Sequence, residues 1–402
     1  MGKELTYALI TPYSLLKSRT GGIISRILSL SDLDLVGARM YTPGDEFLDE
    51  YCKTIEKQEI KPLWKKALIE YVNDKLRKSN KLGISNRTMF LLFEGDDAIN
   101  VLQNKVIGPI SDHLKGDTIR GTYGDCIKFD DGIVEYFEPA VLTSTDPTTN
   151  INQLDLFAKY ALSDGGVLEN VISFDKNEKP ETSLVIFKPF EKQDPRPGNI
   201  VDMISRTGFF MVGIKLINMS VKQAEEIYKP VKDMFTDKFD EKFKPNLIEK
   251  LKTALNKQDV PFELNDDIMQ KLVDQLKEPT VTGEFNKIVR YMTGHELSGF
   301  VDTEKAKEGK KTICFALLYQ GINAISTIRE LLGATDPKKA DHSSIRRFYG
   351  EDILRNAVHA SDSIENAERE RKIIGLWKDE KTCDIKEIIE RYTNSNVEYS
   401  KI

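Results

Sequence analysis

TSLVIFKP, residues 182–189, is a β-rich run closed by a proline, and TYALITPY, residues 6–13, reads the same way, ending in a proline-containing turn. Outward from the first, residues 198–206 have helical character and FFMVGIKL at 209–216 reads as a strand. Outward from the second, residues 21–31 place Ile23, Ile24, Ile27 and Leu28 on one helical face, and LVGARMY at 35–41 is again a strand. Thr11 and Lys188 correspond at an offset of 177, Gly37 and Gly213 at 176. A repeat of that length is a duplicated domain, since solenoid units run to roughly 20–50 residues.

The parallel continues along both halves. A helical stretch at 63–78 precedes a strand at 88–94, and one at 284–292 precedes a strand at 312–319. Further on come Thr118-Ile119-Arg120 and Ser344-Ile345-Arg346, at an offset of 226. The second half therefore carries about 50 extra residues, mainly at 229–283, with helical patterns around 247–255 and 267–276. A smaller Glu/Lys/Gly-rich insertion at 301–310 reads as an exposed loop. Each half reads βαββαβ with additions, which predicts antiparallel sheets covered by helices: an α+β fold, an α/β sandwich of two ferredoxin-like domains. The expected domains are 1–170 and 181–402, the second with its helical insertion, joined through an Asp/Gly/Asn/Lys/Pro-rich stretch at 165–180. A chain of 402 residues suits two domains.

Composition narrows the function. A net charge of -6 gives no electrostatic footprint for nucleic acid, and no apolar run reaches membrane-spanning length. Cys52, Cys126, Cys314 and Cys383 have neither CxxC pairing nor zinc spacing, which points to a reducing, cytoplasmic setting. His113, His295 and His342 lack metal partners at useful spacing, and Gly21-Gly22 reads as a plain turn before a helix, without the ending of a P-loop.

The chemistry concentrates in residues 329–377, RELLGATDPKKADHSSIRRFYGEDILRNAVHASDSIENAERERKIIGLW. Phosphoryl transfer needs cations and donors around the equatorial oxygens and an acceptor in line, and a neutral imidazole is nucleophilic near physiological pH. His359 follows an expected strand at 352–358. Glu370 lies eleven residues later, within reach of the ring if the chain between is helical. From pattern alone a strand-end histidine also fits a structural role. Lys188 and the arginines equally fit solvated surface charges, Thr335 a turn residue, and Asn356 a strand-end cap.

The segment NAVHASDSIENAERERKIIGLW closely resembles the nucleoside diphosphate kinase signature N-x-x-H-[GA]-S-D-[SA] and its continuation, and ATDP upstream resembles that family's ETNP. The resemblance implies transfer of a γ-phosphate from a nucleoside triphosphate, such as ATP, to a nucleoside diphosphate through a phosphohistidine, by ping-pong kinetics. It implies His359 as the phosphorylated nucleophile, positioned by Ser361 and Glu370, with Tyr228 beside it. It further implies Lys188 on the sugar and transferring phosphate, Arg329, Thr335 and Arg346 as the phosphate clamp, and Asn356 on the ribose hydroxyl. Mg2+ would be carried by the nucleotide, so no protein metal ligand is expected. The chain departs from the family pattern where KPDG becomes Lys188-Pro189-Phe190-Glu191, and where Glu284 takes the position of the base-stacking phenylalanine, with Phe285 next to it.

The first half keeps Arg120. Thr11 stands opposite Lys188, Asn104 opposite Arg329, and residues 133–135 fall opposite His359. That half is expected to be degenerate and to stand in for a partner subunit in an intramolecular pseudo-dimer, compatible with further homo-oligomers. The competing expectation is a nucleotide-binding scaffold or regulatory module with little turnover.

Overall fold

The structure is a computed structural model that describes residues 3–80, 83–110, 116–128, 134–175, 177–255, 265–295, 312–378, 380 and 382–399. His113, Ile133 and the 301–310 insertion lie outside them. The chain divides into two compact units, one formed by residues 1–217 with 315–402 and the other by 218–314.

In the larger unit the first half supplies β1 (Glu4–Ile10), β2 (Asp34–Tyr41), β3 (Thr88–Gly95), a hairpin of β4 (Asp125–Lys128) and β5 (Val134–Glu138), and β6 (Val141–Leu142). The second half supplies β7 (Pro180–Phe190), β8 (Phe210–Ile217), β9 (Ile313–Ile322) and β10 (Val358–Ala360). The sheet orders are β2-β3-β1-β6 and β10-β7-β9-β8. Taken from the opposite edge, the second sheet runs β8-β9-β7-β10 and repeats the first. These are the antiparallel sheets and covering helices that the βαββαβ pattern predicts; the β4–β5 hairpin is an addition.

Strand periodicity explains the layering. Side chains alternate across a strand, and in β1 Ala8 and Ile10 enter one hydrophobic cluster while Leu5, Tyr7 and Leu9 enter another. The first cluster also contains Val185, Phe187, Ile200, Ile204, Phe315 and Leu317, so both halves share one core. The second is rich in aromatics, with the Phe90 and Phe157 ring centroids 4.3 Å apart. Cys383, Ile385 and Ile389 also join it, carrying the Asp384–Tyr399 helix onto the first half.

Gly21 and Gly22 lie inside the Thr20–Leu30 helix, which corrects the expected turn. The reason is packing. That helix meets the Arg196–Ser205 helix of the second half so closely that a Cβ on Gly21 would lie 2.6 Å from the Gly198 carbonyl oxygen, and a Cβ on Gly198 would overlap the Gly21 carbonyl. Backbone offers no soft escape from such a contact. Gly198→Val is expected to destabilise the protein by about 3 kcal/mol, at the upper end for overpacking, read as a lower urea midpoint at unchanged slope.

The smaller unit is helical: Val221–Asp237, Phe239–Lys242, Lys244–Leu255, Asp266–Gln275 and Lys277–Thr293. Phe235, Phe239, Val273 and Val281 form its core. Ser220 and Gln223 close a capping box at the first helix, satisfying donors that a helix start leaves open. The inserted residues extend the flanking helices, because 229 and 283 both fall within helices. All four cysteines are free thiols. Among the described residues no helix is long and apolar enough to cross a membrane.

Candidate active site

The approach to the histidine is an irregular turn, and the expected strand at 352–358 shrinks to Val358–Ala360. The cause is local side-chain chemistry. Asp352 Oδ1 accepts the Leu354 and Arg355 amides at 2.9 and 2.6 Å, an Asx-type turn that competes with strand pairing. Ala357 then takes φ +67°, and Val358 N–H bonds the Asn356 carbonyl at 2.8 Å across it. A left-handed alanine costs on the order of 1–3 kcal/mol and persists only where its surroundings hold it. Here Lys188 N–H bonds the Ala357 carbonyl at 2.9 Å. His359 thus sits within β10, paired with Ile186 of β7.

The ring has a defined partner. His359 Nε2 lies 2.8 Å from Glu370 Oε2, and Ser361 Oγ donates to the same oxygen at 2.7 Å. Glu370 comes from the Ile364–Ile373 helix, whose start is capped by Ser363. The Glu370 side chain is 5% exposed. Burial alone would raise its pKa. The charge and hydrogen bond of the His359 ring, the Ser361 hydroxyl and the Arg369 guanidinium outweigh burial and hold it below the usual carboxylate range. Arg369 Nη2 reaches Glu370 Oε1 at 3.2 Å. The sequence reading missed Arg369, since adjacency along a helix gives no signal that two side chains will meet.

Lys188, Arg346 and Asn356 bond backbone around the same turn. Lys188 is 8% exposed and its Nζ donates to the Leu354 carbonyl at 2.7 Å. Arg346 donates to the Gly333 and Val358 carbonyls at 2.8 and 3.0 Å, tying the turn at Gly333 to β10. Asn356, 3% exposed, donates to the carbonyls of Thr335 and Ile353 at 3.2 and 3.0 Å. Its buried Oδ1 has no hydrogen-bond partner among the described residues. An unsatisfied buried acceptor is costly. Thr335 is exposed. Arg329 is also exposed and borders an open cavity of about 430 Å3 together with Glu181, Asp362 and Ser363.

Tyr228 and Phe285 belong to the other unit, on the Val221–Asp237 and Lys277–Thr293 helices. They are 5% and 4% exposed, and Lys232 Nζ lies 5.7 Å from the Phe285 ring centroid. Glu284 pairs with Lys287 at 2.6 Å. His342 is exposed, and His295 Nδ1 lies 3.3 Å from the Thr293 carbonyl oxygen.

The first half repeats this framework with other side chains. Arg120 donates to the Gly108 and Val141 carbonyls, as Arg346 does to Gly333 and Val358. Ala140 has φ +59°, and its carbonyl accepts Thr11 N–H at 3.1 Å, matching Ala357 and Lys188. This register places Leu142 opposite His359, Ser144 opposite Ser361 and Gln153 opposite Glu370. The expected pairing of 133–135 with His359 is corrected, because the β4–β5 hairpin lies between Arg120 and Ala140 and lengthens the first half there. Leu142 is 3% exposed, and Gln153 accepts from Tyr7 at 2.7 Å and donates to Thr54 at 2.9 Å. Thr11 donates to Glu138 at 3.0 Å, a buried carboxyl that desolvation pushes up to about 7. Asn104 stands opposite Arg329 in the same register that pairs Gly108 with Gly333.

Among the described residues no group of three or more His, Cys, Asp or Glu side chains is placed to hold a metal ion.

The family model described as nucleoside diphosphate kinase matches residues 286–379. A nucleoside diphosphate kinase of Chlamydia muridarum is 30% identical over 187 residues, 46% of this chain and 86% of the relative. One from Methanosphaera stadtmanae is 51% identical over 71 residues, 17% of this chain and 45% of the relative. The crystal structure of the Aquifex aeolicus nucleoside diphosphate kinase aligns over 49% of this chain and 95% of its own, at 23% identity and a TM-score of 0.30.

Proposed function

The chain belongs to the nucleoside diphosphate kinase family, and from that premise we propose that it moves the γ-phosphate of a nucleoside triphosphate to a nucleoside diphosphate through a phosphohistidine at His359. The observation that carries the proposal is the single carboxylate oxygen of Glu370 that meets both His359 Nε2 and Ser361 Oγ. An ionised carboxylate only accepts, so Nε2 keeps its proton and donates to it, and that tautomer leaves the nucleophilic lone pair on Nδ1.

In the first step Nδ1 attacks the γ-phosphorus, the bond to the β–γ bridging oxygen breaks, and the diphosphate leaves with that electron pair. The ring becomes cationic, and the ionised Glu370 beneath it stabilises that charge. In the second step a terminal oxygen of an acceptor diphosphate attacks the same phosphorus and the N–P bond breaks. Lys188, Arg329, Thr335 and Arg346 would spread the charge on the transferring oxygens. The unpaired Asn356 Oδ1 suits a ribose hydroxyl. Mg2+ arrives on the nucleotide.

We assign the first half to support. Leu142 cannot accept a phosphoryl group, and Gln153, Thr11 and Asn104 replace the carboxylate, lysine and arginine. Packed against the second half, it would act as the other member of a pseudo-dimer, in a reducing compartment that suits four free thiols. The same two cations carry a second reading. Lys188 and Arg346 already bond backbone carbonyls, which favours a nucleotide-binding module with little turnover.

Incubation with γ-labelled ATP separates the two. Transfer predicts an acid-labile, base-stable phosphoprotein that passes its label to a second diphosphate. The binding module predicts thermal stabilisation by nucleotide without exchange. A folded protein that never labels would falsify the transferase reading.

A further inference from the structure

The larger unit holds a second cavity, of about 460 Å3, within the roughly 300–1,000 Å3 of small-molecule sites. Its walls come from both halves and from the segment joining them: Leu15 and Leu16, Phe209 and Met211, and Ile172 with Ser173. Nothing in the phosphoryl-transfer scheme uses it; His359, Glu370, Lys188 and Arg346 are not among its described lining residues.

Its wall is mixed, with apolar side chains beside the hydroxyl residues Ser18, Thr20, Ser173 and Ser205, and Arg87 lines it, 9% exposed and the sole charged residue among the described lining residues. One guanidinium nitrogen, Nη1, donates to the Met211 carbonyl, and the plane lies over Phe210 with its carbon 5.2 Å from the ring centroid. Nε has no hydrogen-bond partner among the described residues, and no carboxylate there pairs with the charge. Burial pushes the guanidinium down to about 10. Two further lining residues, Ser85 and Tyr319, have buried hydroxyls that likewise lack hydrogen-bond partners among the described residues. A buried cation without a counter-ion is costly, and three unsatisfied polar groups around one cavity exceed what a packed interior usually tolerates.

The geometry points to a binding site for a small monocarboxylate with an apolar body. With Nη1 bonded to the Met211 carbonyl and Nε enclosed by protein, Nη2 is the guanidinium nitrogen left to donate a charge-assisted hydrogen bond to a carboxylate oxygen. One cation balances one negative charge; a phosphate dianion would leave a second charge buried. The apolar part of the wall, Leu15, Leu16, Ile172, Phe209 and Met211, covers the ligand's chain. Because the walls include both halves and their connector, an occupant bridges the halves.

The test is titration of the full-length protein with sodium octanoate, 1-octanol and inorganic phosphate, by calorimetry and thermal shift. Octanoate is expected to bind and raise the melting temperature, and the other two are not. Arg87→Met should weaken octanoate roughly tenfold or more, the weight of a lost charge-assisted hydrogen bond. Ser173→Trp, which fills the cavity from an exposed wall position and leaves Arg87 in place, should do the same and decides the question if Arg87→Met does not fold. The proposal is overturned if octanoate does not bind the unaltered protein, if Ser173→Trp binds it with unchanged affinity, or if octanol or phosphate binds as tightly.

Discussion

His359→Ala is expected to remove nucleotide-driven labelling entirely and to lower phosphate exchange between a triphosphate and a second diphosphate by at least about 10^4-fold. A covalent route splits transfer into two displacements at one phosphorus, and without the imidazole the donor's γ-phosphoryl has no acceptor in the first. Direct transfer between two bound nucleotides would need two nucleotide sites facing each other, and the first half offers Leu142 and Gln153 where the second offers His359 and Glu370. Alanine removes a side chain that is 20% exposed, so the fold should survive, and unchanged thermal unfolding would show that chemistry alone was lost. Retained exchange in a folded His359→Ala protein would place the acceptor elsewhere.

Glu370→Gln should cost about 10^2–10^4-fold in exchange while leaving nucleotide affinity nearly intact, by the logic that applies when a histidine's orienting carboxylate becomes an amide. The ionised carboxylate only accepts, so Nε2 must carry the proton. An amide can turn its NH2 toward Nε2, which moves the proton to Nδ1 and removes the attacking lone pair. It also withdraws the negative charge that balances the phosphorylated, cationic ring. Binding measured by calorimetry beside exchange would separate this from simple misfolding. The same carboxylate gives a signed pH effect. Its folded pKa lies below the unfolded value, so its stabilising contribution is full above the usual carboxylate range and is lost as pH falls through the lowered folded value. Glu370→Gln should flatten that acid limb of the stability profile.

Periodicity and repeat offsets made the sheets legible, because alternation in TYALITPY and TSLVIFKP reflects burial on opposite faces. Two kinds of information were not. The turn before His359 depends on Asp352 bonding its own neighbours and on a left-handed Ala357, choices that hydrophobic pattern does not encode. The register between the halves slips where β4–β5 enters, so an offset fixed at Arg120 and Arg346 misplaces the partner of His359. Individual side chains in the signature were legible by resemblance. Their mutual geometry was not, and Arg369 and the carbonyl of Leu354 entered only with the fold.

The core shared by the two halves also dictates how the chain must be made. Ile23, Ile27 and their neighbours need Val185, Ile200 and Phe315 to be covered, and Cys383, Ile385 and Ile389 close the aromatic cluster of the first half. During synthesis the amino-terminal half therefore emerges with an apolar face that stays wet for well over a hundred further residues. Long-range closure of this kind slows folding and exposes sticky surface in the meantime. The protein is thus expected to depend on chaperones at the ribosome, and a fragment ending before Val185 should aggregate instead of persisting as a monomer.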